Sequence, residues 1–410
     1  MSSEPSKPIR IGLLGRGTVG AAFAELLDER ADAVEAATGR RPQLAGVLTR
    51  SQGDFGEILE RSDLVVELMG GTDPARSFVL DALRAGRPVV TANKQLLAQH
   101  GDELFAVARE AGVQLRFEAA VAAVIPIVRT IQESFGVTEI AKVFGIVNGT
   151  TNFILSEMAA TGAGYDEVLA RAQELGYAEA DPSDDVSGAD AAAKMAILAR
   201  LAFHTPVTLA EVSYEGIEAI QPDDLAYAKE LGLSLKLLGV AERRDGGISV
   251  RVFPCFLYPG HPLAPIEGPF NAVMVEAPAI TEVTMSGPGA GGLQTASAVL
   301  GDVVSILAGE APVHETREQL PIVADVTSSF YLYLEVADRP GVLARVATVL
   351  GDHDVSVKSV VQRGAGDDAR LVMVVHECLE SRFAAAVEAL GALGDLRSPP
   401  RSIHVIEKEF

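Results

Sequence analysis

Ile9-Arg10-Ile11-Gly12-Leu13-Leu14-Gly15-Arg16-Gly17-Thr18-Val19-Gly20 places a GxGxxG directly after an apolar, β-rich run and at the start of the helix-forming stretch VGAAFAELLDE, residues 19–29. The first glycine permits a tight turn, the second lets backbone amides approach a pyrophosphate, and the third allows close helix–strand packing. The helix N-terminus adds partial positive charge. A glycine triplet alone is satisfied by a tight turn with no ligand; set between strand and helix, it points to a dinucleotide.

Outward from this turn the alternation continues to about Val128, through QLAGVLT (43–49), DLVVELMG (63–70), PARSFVLDALRAG (74–86), PVVTANK (88–94), DELFAVAREAG (102–112) and VQLRFEAAV (113–121). Strands separated by helix-length segments imply βαβ units and a parallel sheet. Right-handed crossovers then favour a doubly wound, Rossmann-like α/β domain over residues 1–132, with a returning segment expected near 300–325. The second strand ends at Thr49-Arg50-Ser51, without the acidic residue that would accept from a ribose 2′-hydroxyl. NADP is therefore admitted beside NAD; Arg50 is a candidate for a 2′-phosphate, or else a solvated loop arginine.

Residues 133–310 mix helices such as YDEVLARAQELG (165–176) and SGADAAAKMAILARLAF (187–203) with strand-like runs such as ITEVTMSG (280–287), an α+β pattern. The Pro- and Gly-bearing stretch from Phe253 to Pro269 reads as loop-rich surface. A connector is expected over 309–328. Beyond it, FYLYLEVA, PGVLARVATVLG, DVSVKSVV, ARLVMVVHE, SRFAAAVEALG and SIHVIE run β-α-β-β-α-β, which predicts a third, ferredoxin-like domain over 329–410.

The chain's 410 residues suit two to three domains, and 48% hydrophobic with 22% charged residues is an ordinary globular balance. With 34 Lys plus Arg against 56 Asp plus Glu, the net charge of −22 repels phosphate backbones and anionic membranes. Nucleic-acid binding is not expected. Cys255 and Cys378, the two cysteines, match no metal or redox spacing, which fits a reducing cytoplasm. MSSEPSKPIR has no apolar core, and no stretch reaches the roughly 18 apolar residues a membrane span requires. Neither export nor membrane insertion is expected.

Two further stretches carry chemistry. Gly176–Asp190 packs five carboxylates into fifteen residues, but a calcium loop beginning at Asp181 fails, with Val186 and Ala192 where glycine and a carboxylate are needed. The loop runs into an alanine-rich helix on which Asp190 and Lys194 are i and i+4, one turn apart on the same face. A surface salt bridge is the plain explanation. That helix is too apolar to be a solvated spoke, and an acidic cup beside one lysine suits a small substrate bearing an ammonium group. Lys94 ends an apolar strand of the first domain, where ligands of open α/β sheets bind; an exposed strand-end lysine is the alternative.

GLLGRGTVG (12–20), VVTANKQLLAQHG (89–101), FEAAVAAVIPIV (117–128), GIVNGTTNFILSEM (145–158), AQELGYAEADPSDDVSGADAAAKMAILARLAF (172–203), HPLAPIEGPFNAV (261–273) and GPGAGGLQTASAVLGDVV (287–304) together resemble the homoserine dehydrogenases that carry a C-terminal ACT domain. The resemblance implies reversible, NAD(P)-dependent interconversion of L-homoserine and L-aspartate 4-semialdehyde, in threonine, methionine and isoleucine biosynthesis. It makes Lys194 the proton donor and Lys94 a second lysine beside substrate and cofactor. Glu179 and Asp190 would hold the substrate, with Asp185 in the same loop. Gly176 and Gly291 would lie near the cofactor with Gly15, Gly17, Thr18, Val19 and Gly20. Glu118, Val121, Ala123 and Ile125 match positions that bind sodium or potassium, largely through backbone carbonyls. The family usually has two adjacent glycines before Ile-Pro, where this chain has Ala123 and Val124 before Ile125-Pro126; side chains there would strain a backbone bend.

Asp338-Arg339-Pro340-Gly341-Val342-Leu343 is similar to the effector turn of ACT domains, with Asp338, Gly341 and Val342 as contacts for L-threonine, although Pro and Gly also punctuate an ordinary helix start. A homodimer or homotetramer is implied, joined through the central region and through paired ACT domains. In the reaction, negative charge on the substrate oxygen needs stabilisation and a proton, and an ammonium supplies both. Two close lysines lower each other's proton affinity, while nearby carboxylates oppose that shift. Two rivals stand beside this reading. Another Rossmann semialdehyde oxidoreductase need not gather Glu179, Asp190 and Lys194 in one pocket, and a non-enzymatic amino-acid sensor would show no turnover.

Overall fold

The computed structural model describes residues 8–309, 319–364 and 369–406. Five parallel strands form the first sheet, in the order Pro42–Leu48, Ile9–Leu14, Leu64–Glu67, Val89–Thr91, Leu115–Arg116. Their period-2 alternation loads both faces. Ile11, Leu13, Leu64, Val66 and Val90 pack with Phe23, Leu27 and Val34 of helices Thr18–Glu29 and Ala31–Thr38. Leu14, Leu48, Val65 and Val89 pack instead with Ile58, Val79, Leu83 and Leu96 of helices Phe55–Arg61, Ala75–Arg84 and Lys94–Ala111. Burial on both sides is why these strands read as continuous apolar runs, and the domain is doubly wound.

The return to this sheet comes earlier in the chain than expected. Helix Gly292–Ala308 lays Ala296, Val299 and Val303 on the Phe23 side, whereas Pro321 and Val323 hydrogen-bond Ile248 in the second region. Of the connector expected over 309–328, residues 310–318 lie outside the described residues.

The second region is built on antiparallel strands in the order Thr281–Pro288, Phe270–Ala277, Lys142–Ile146, Ser234–Arg244, Gly247–Leu257. Helices Gly149–Thr161 and Ala189–Phe203 pack against one face, their Ile154, Met158, Ala192 and Ala196 meeting Val143, Leu235 and Val273. Part of the stretch read as surface loop is therefore a buried strand: Phe253–Leu257 is interior, with Pro254 held opposite Leu237. Its proline masked an otherwise apolar run.

The terminal domain has the expected β-α-β-β-α-β order, with strands Thr327–Glu335, Val357–Arg363, Arg370–Leu379 and Arg401–Ile406 and helices Val342–Asp352 and Glu380–Gly391. Its last strand also pairs in parallel with Gly247–Leu257, His404 beside Cys255 and Ile406 beside Leu257. One ten-stranded sheet thus crosses from the central to the terminal domain. Among the described residues no helix is long and apolar enough to cross a membrane.

Candidate active site

The fingerprint turn has the geometry its glycines predict. Gly15 has φ +96°, and a Cβ there would lie 2.5 Å from the Leu68 carbonyl oxygen; one on Gly20 would lie 2.1 Å from that of Gly15. Gly17, which precedes Thr18 and Val19 in the first helical turn, meets nothing within 4 Å, so the helix N-terminus opens on free space. Helix Gly292–Ala308 begins alongside, with Gly292 against Thr18, and Gly291 bends there at φ +131°. Arg50 is exposed just past strand Pro42–Leu48 and forms no ion pair among the described residues.

Beside Gly291 opens a cleft of about 520 Å³ whose walls include Lys94, Gly176, Glu179, Asp185, Asp190 and Lys194. Residues from both candidate stretches meet there. Lys94 opens helix Lys94–Ala111, and Asp190 and Lys194 share the buried helix Ala189–Phe203. Asp190 stands between the lysines: Lys94 Nζ is 2.7 Å from Oδ1 and Lys194 Nζ donates to Oδ2 at 2.7 Å. Lys194 also donates to the Val147 carbonyl at 2.7 Å. Burial alone would push the Asp190 carboxyl up, but the two ammonium groups and their hydrogen bonds hold it well below the usual carboxylate range. At Lys94, burial favours the neutral amine, yet Asp190, Asp185 and Asp184 outweigh it and raise the proton affinity. At Lys94 the carboxylates thus outweigh burial.

Sequence reasoning missed Asn148. It is buried, accepts from the Thr151 amide at 2.8 Å to cap helix Gly149–Thr161, and donates to Asp185 at 2.6 Å and Asp190 at 2.9 Å. Asn-Gly before an apolar run signals a turn or a helix start, and only the fold brings its amide to the carboxylates. Burial, then the Asp190 charge, raise the Asp185 carboxyl, while Asn148 and the lysines oppose them. Asp190, implied as a substrate holder, has both oxygens engaged by Lys94, Lys194 and Asn148. Glu179 is exposed, and its carboxylate makes no bond among the described residues. Among the described carboxylates of the cleft it is the one with neither oxygen engaged.

Loop 118–125 forms another wall. The Glu118 carboxylate accepts from the Val128 and Arg129 amides at 2.8 and 2.9 Å, and its own amide donates to Asp302 at 2.8 Å. Burial and the Asp302 charge push the Glu118 carboxyl up to about 7. Ala122 and Ala123 adopt φ +55° and +50°, left-handed values that favour glycine, so of the pair Ala123-Val124 only Ala123 sits at such a bend. Asp338, Gly341 and Val342 lie apart from this cleft, at the start of helix Val342–Asp352, where Gly341 has φ +90° and Gln362 donates to Asp338 at 3.3 Å.

Comparison with known proteins agrees with this architecture. The family model for the homoserine dehydrogenase NAD-binding domain matches residues 15–118, that for homoserine dehydrogenase 126–304, and that for the ACT domain 330–395. A homoserine dehydrogenase of Corynebacterium glutamicum is 43% identical, over 95% of this chain and 93% of its own. The chain belongs to the homoserine dehydrogenase family. The homoserine dehydrogenase of Neisseria gonorrhoeae is 38% identical over 96% of this chain and 97% of its own. Among solved structures, a homoserine dehydrogenase from Thiobacillus denitrificans superposes with a TM-score of 0.93 at 36% identity, covering 98% of both chains. A hyperthermophilic archaeal homoserine dehydrogenase in complex with NADPH superposes at 0.65 with 26% identity, over 75% of this chain and 99% of that one. This homoserine dehydrogenase is thus an oxidoreductase with a nicotinamide-binding domain, a catalytic domain and an ACT domain.

Proposed function

We propose that the Lys94–Asp190–Lys194 cluster interconverts L-aspartate 4-semialdehyde and L-homoserine, with Lys194 as the proton donor to the aldehyde oxygen. When bound, NADPH or NADH supplies the hydride. One observation carries the assignment: two of the three Lys194 N–H bonds are taken by Asp190 and Val147, which leaves one proton for the cleft. An ammonium held so is already oriented when negative charge develops on the substrate oxygen. Lys94, with one bond to Asp190, has protons left for substrate or cofactor. Asp190 keeps Lys94 charged and aims both lysines rather than gripping substrate, and Glu179 takes the substrate ammonium.

Gly15, Gly17, Thr18, Val19 and Gly20 hold the pyrophosphate, with Gly176 and Gly291 nearby. Arg50, free at the end of the second strand, favours NADP. The residues also fit a monovalent cation, sodium or potassium. Glu118, Val121, Ala123 and Ile125 lie within residues 118–125, and the carbonyls of Val121 and Ala123 accept no hydrogen bond among the described residues. The enzyme works in the cytoplasm as a homodimer or homotetramer, and L-threonine inhibits it through Asp338, Gly341 and Val342. Turnover across a millimolar threonine series, and in sodium, potassium and choline buffers, tests the effector and the cation; flat responses discard them.

Homoserine-dependent NAD(P)H formation, followed by absorbance, tests the central assignment. Lys194→Ala is expected to lower kcat by about 100-fold or more, the range of general acid–base catalysis beginning near that value, while the affinity for cofactor alone stays unchanged. Full homoserine oxidation by that variant would remove Lys194 as the acid.

A further inference from the structure

We infer that Thr91, anchored on the buried carboxylate of Glu67, is a positioning residue for Lys94. This inference rests on the proposed role of Lys94. Glu67 ends the central strand of the parallel sheet, is fully buried, and makes no ion pair among the described residues. A buried carboxylate without a cation is costly unless several hydrogen bonds satisfy it. Here they do: the Thr91 hydroxyl donates to one oxygen at 2.5 Å, and the Met69 and Gly70 amides donate to the other at 2.7 and 3.3 Å. Burial pushes the carboxyl up, and these bonds oppose it.

A carboxylate only accepts, so it fixes the direction of the Thr91 proton. The freed lone pairs of Thr91 Oγ1 accept from the Asn93 amide at 3.0 Å. Asn93 is in turn locked at both ends, its side chain donating to the Gly71 carbonyl at 2.6 Å and accepting from the Leu96 amide at 3.1 Å. As N-cap it sets the first turn of helix Lys94–Ala111, and the residue that follows is Lys94, whose ammonium reaches Asp190. Glu67 and Thr91, each the last residue of its strand, and Asn93 therefore form a buried chain that aims Lys94. The same carboxylate holds loop 68–71, against which Gly15 is packed. An apolar residue in place of Glu67 would fill the space but orient nothing.

The test is a double-mutant cycle between Thr91→Val and Lys94→Ala, with kcat, KM and cofactor affinity measured for each variant. We expect Thr91→Val to lower kcat about tenfold, within the range for a catalytic group misplaced by a fraction of an ångström, with KM for NAD(P)+ unchanged. Thr91→Ser, which keeps the hydroxyl, restores kcat to within about twofold of the parent, and adding Thr91→Val to Lys94→Ala costs nothing further. Independent losses that multiply in the double variant, or a Thr91→Val enzyme with parental kcat, would overturn the inference. Parental kcat in Lys94→Ala overturns the role of Lys94 itself, a distinct result. If Thr91→Val does not fold, Glu67→Gln gives the same cycle, because its amide would present a proton to Thr91 instead of accepting one.

Discussion

Asp190 is one carboxylate claimed by three partners, and its burial makes each of them count. Two ammonium groups and the Asn148 amide occupy its oxygens, so its folded-state pKa is depressed below the unfolded value of about 3.9. A group depressed in this way contributes stability above the unfolded pKa and loses it as pH falls toward the folded one. Asp190→Asn is therefore expected to destabilise the protein at pH 7, and the gap from the parent should narrow at pH 3. Urea midpoints at the two pH values measure this; an equal gap at both would mean that the charge of Asp190 does not stabilise the fold. At this scale the sequence revealed the i,i+4 pair of Asp190 and Lys194 because helix periodicity suffices for it. It could not reveal Glu67, embedded in the apolar run DLVVELMG, because a strand's alternation says which face a side chain takes and not which donors await it.

Helices and strands in this molecule serve mainly to deliver their ends. Helix Gly149–Thr161 shows this best, since its cap, Asn148, also bonds both carboxylates of the cleft. Aspartate caps a helix as well as asparagine does, so Asn148→Asp keeps the cap while setting a third carboxylate against Asp185 and Asp190. Crowded like charges raise one another's pKa, and a carboxylate raised in the folded state costs stability as pH rises through the range between its unfolded and folded values. Asn148→Asp is expected to lose about 2 kcal/mol at pH 7, the order of one buried unpaired polar interaction, and to recover part of it at pH 5. Asn148→Ala, which removes a donor to Asp185 but adds no carboxylate, should change less between the two. Unfolding by urea at the two pH values separates them, and an Asn148→Asp deficit that fails to shrink at pH 5 would contradict the account. Most elements were legible because both faces of the parallel sheet are buried and its strands stay apolar throughout. The strand around Pro254 was not, because a proline breaks the pattern although it sits opposite Leu237 in a regular pairing, and the return to the parallel sheet, expected near 300–325, begins earlier, with helix Gly292–Ala308.

Across the whole molecule, the unexpected feature is the continuity of the central and terminal sheets. Pairing between His404 and Cys255 joins residues about 150 positions apart, and no local pattern encodes such a register. Side chains reinforce the seam. Arg251, buried on the central sheet, pairs with Glu242 at 3.0 Å and with Glu380 at the start of a terminal-domain helix, and Glu380 also receives Ser328 at 3.0 Å and lies 3.2 Å from His404. The His404 ring stacks on Phe253, 4.0 Å between centroids, and Arg401 pairs with Asp224 at 3.1 Å. An amino acid bound to the ACT domain would therefore act on a body continuous with the catalytic sheet, not on a tethered bead. Truncating one partner of a buried pair leaves its charge uncompensated, at a cost of several kcal/mol; because Glu242 still partners Arg251, Glu380→Ala is expected to cost about 2 kcal/mol. Its signature should be shared: in hydrogen exchange the amides of Cys255–Leu257 and of His404–Ile406 lose protection together, since these are the residues through which the two strands pair. Loss confined to the terminal strand would mean that the two sheets merely abut and that the seam carries no mechanical coupling between effector and catalytic domains.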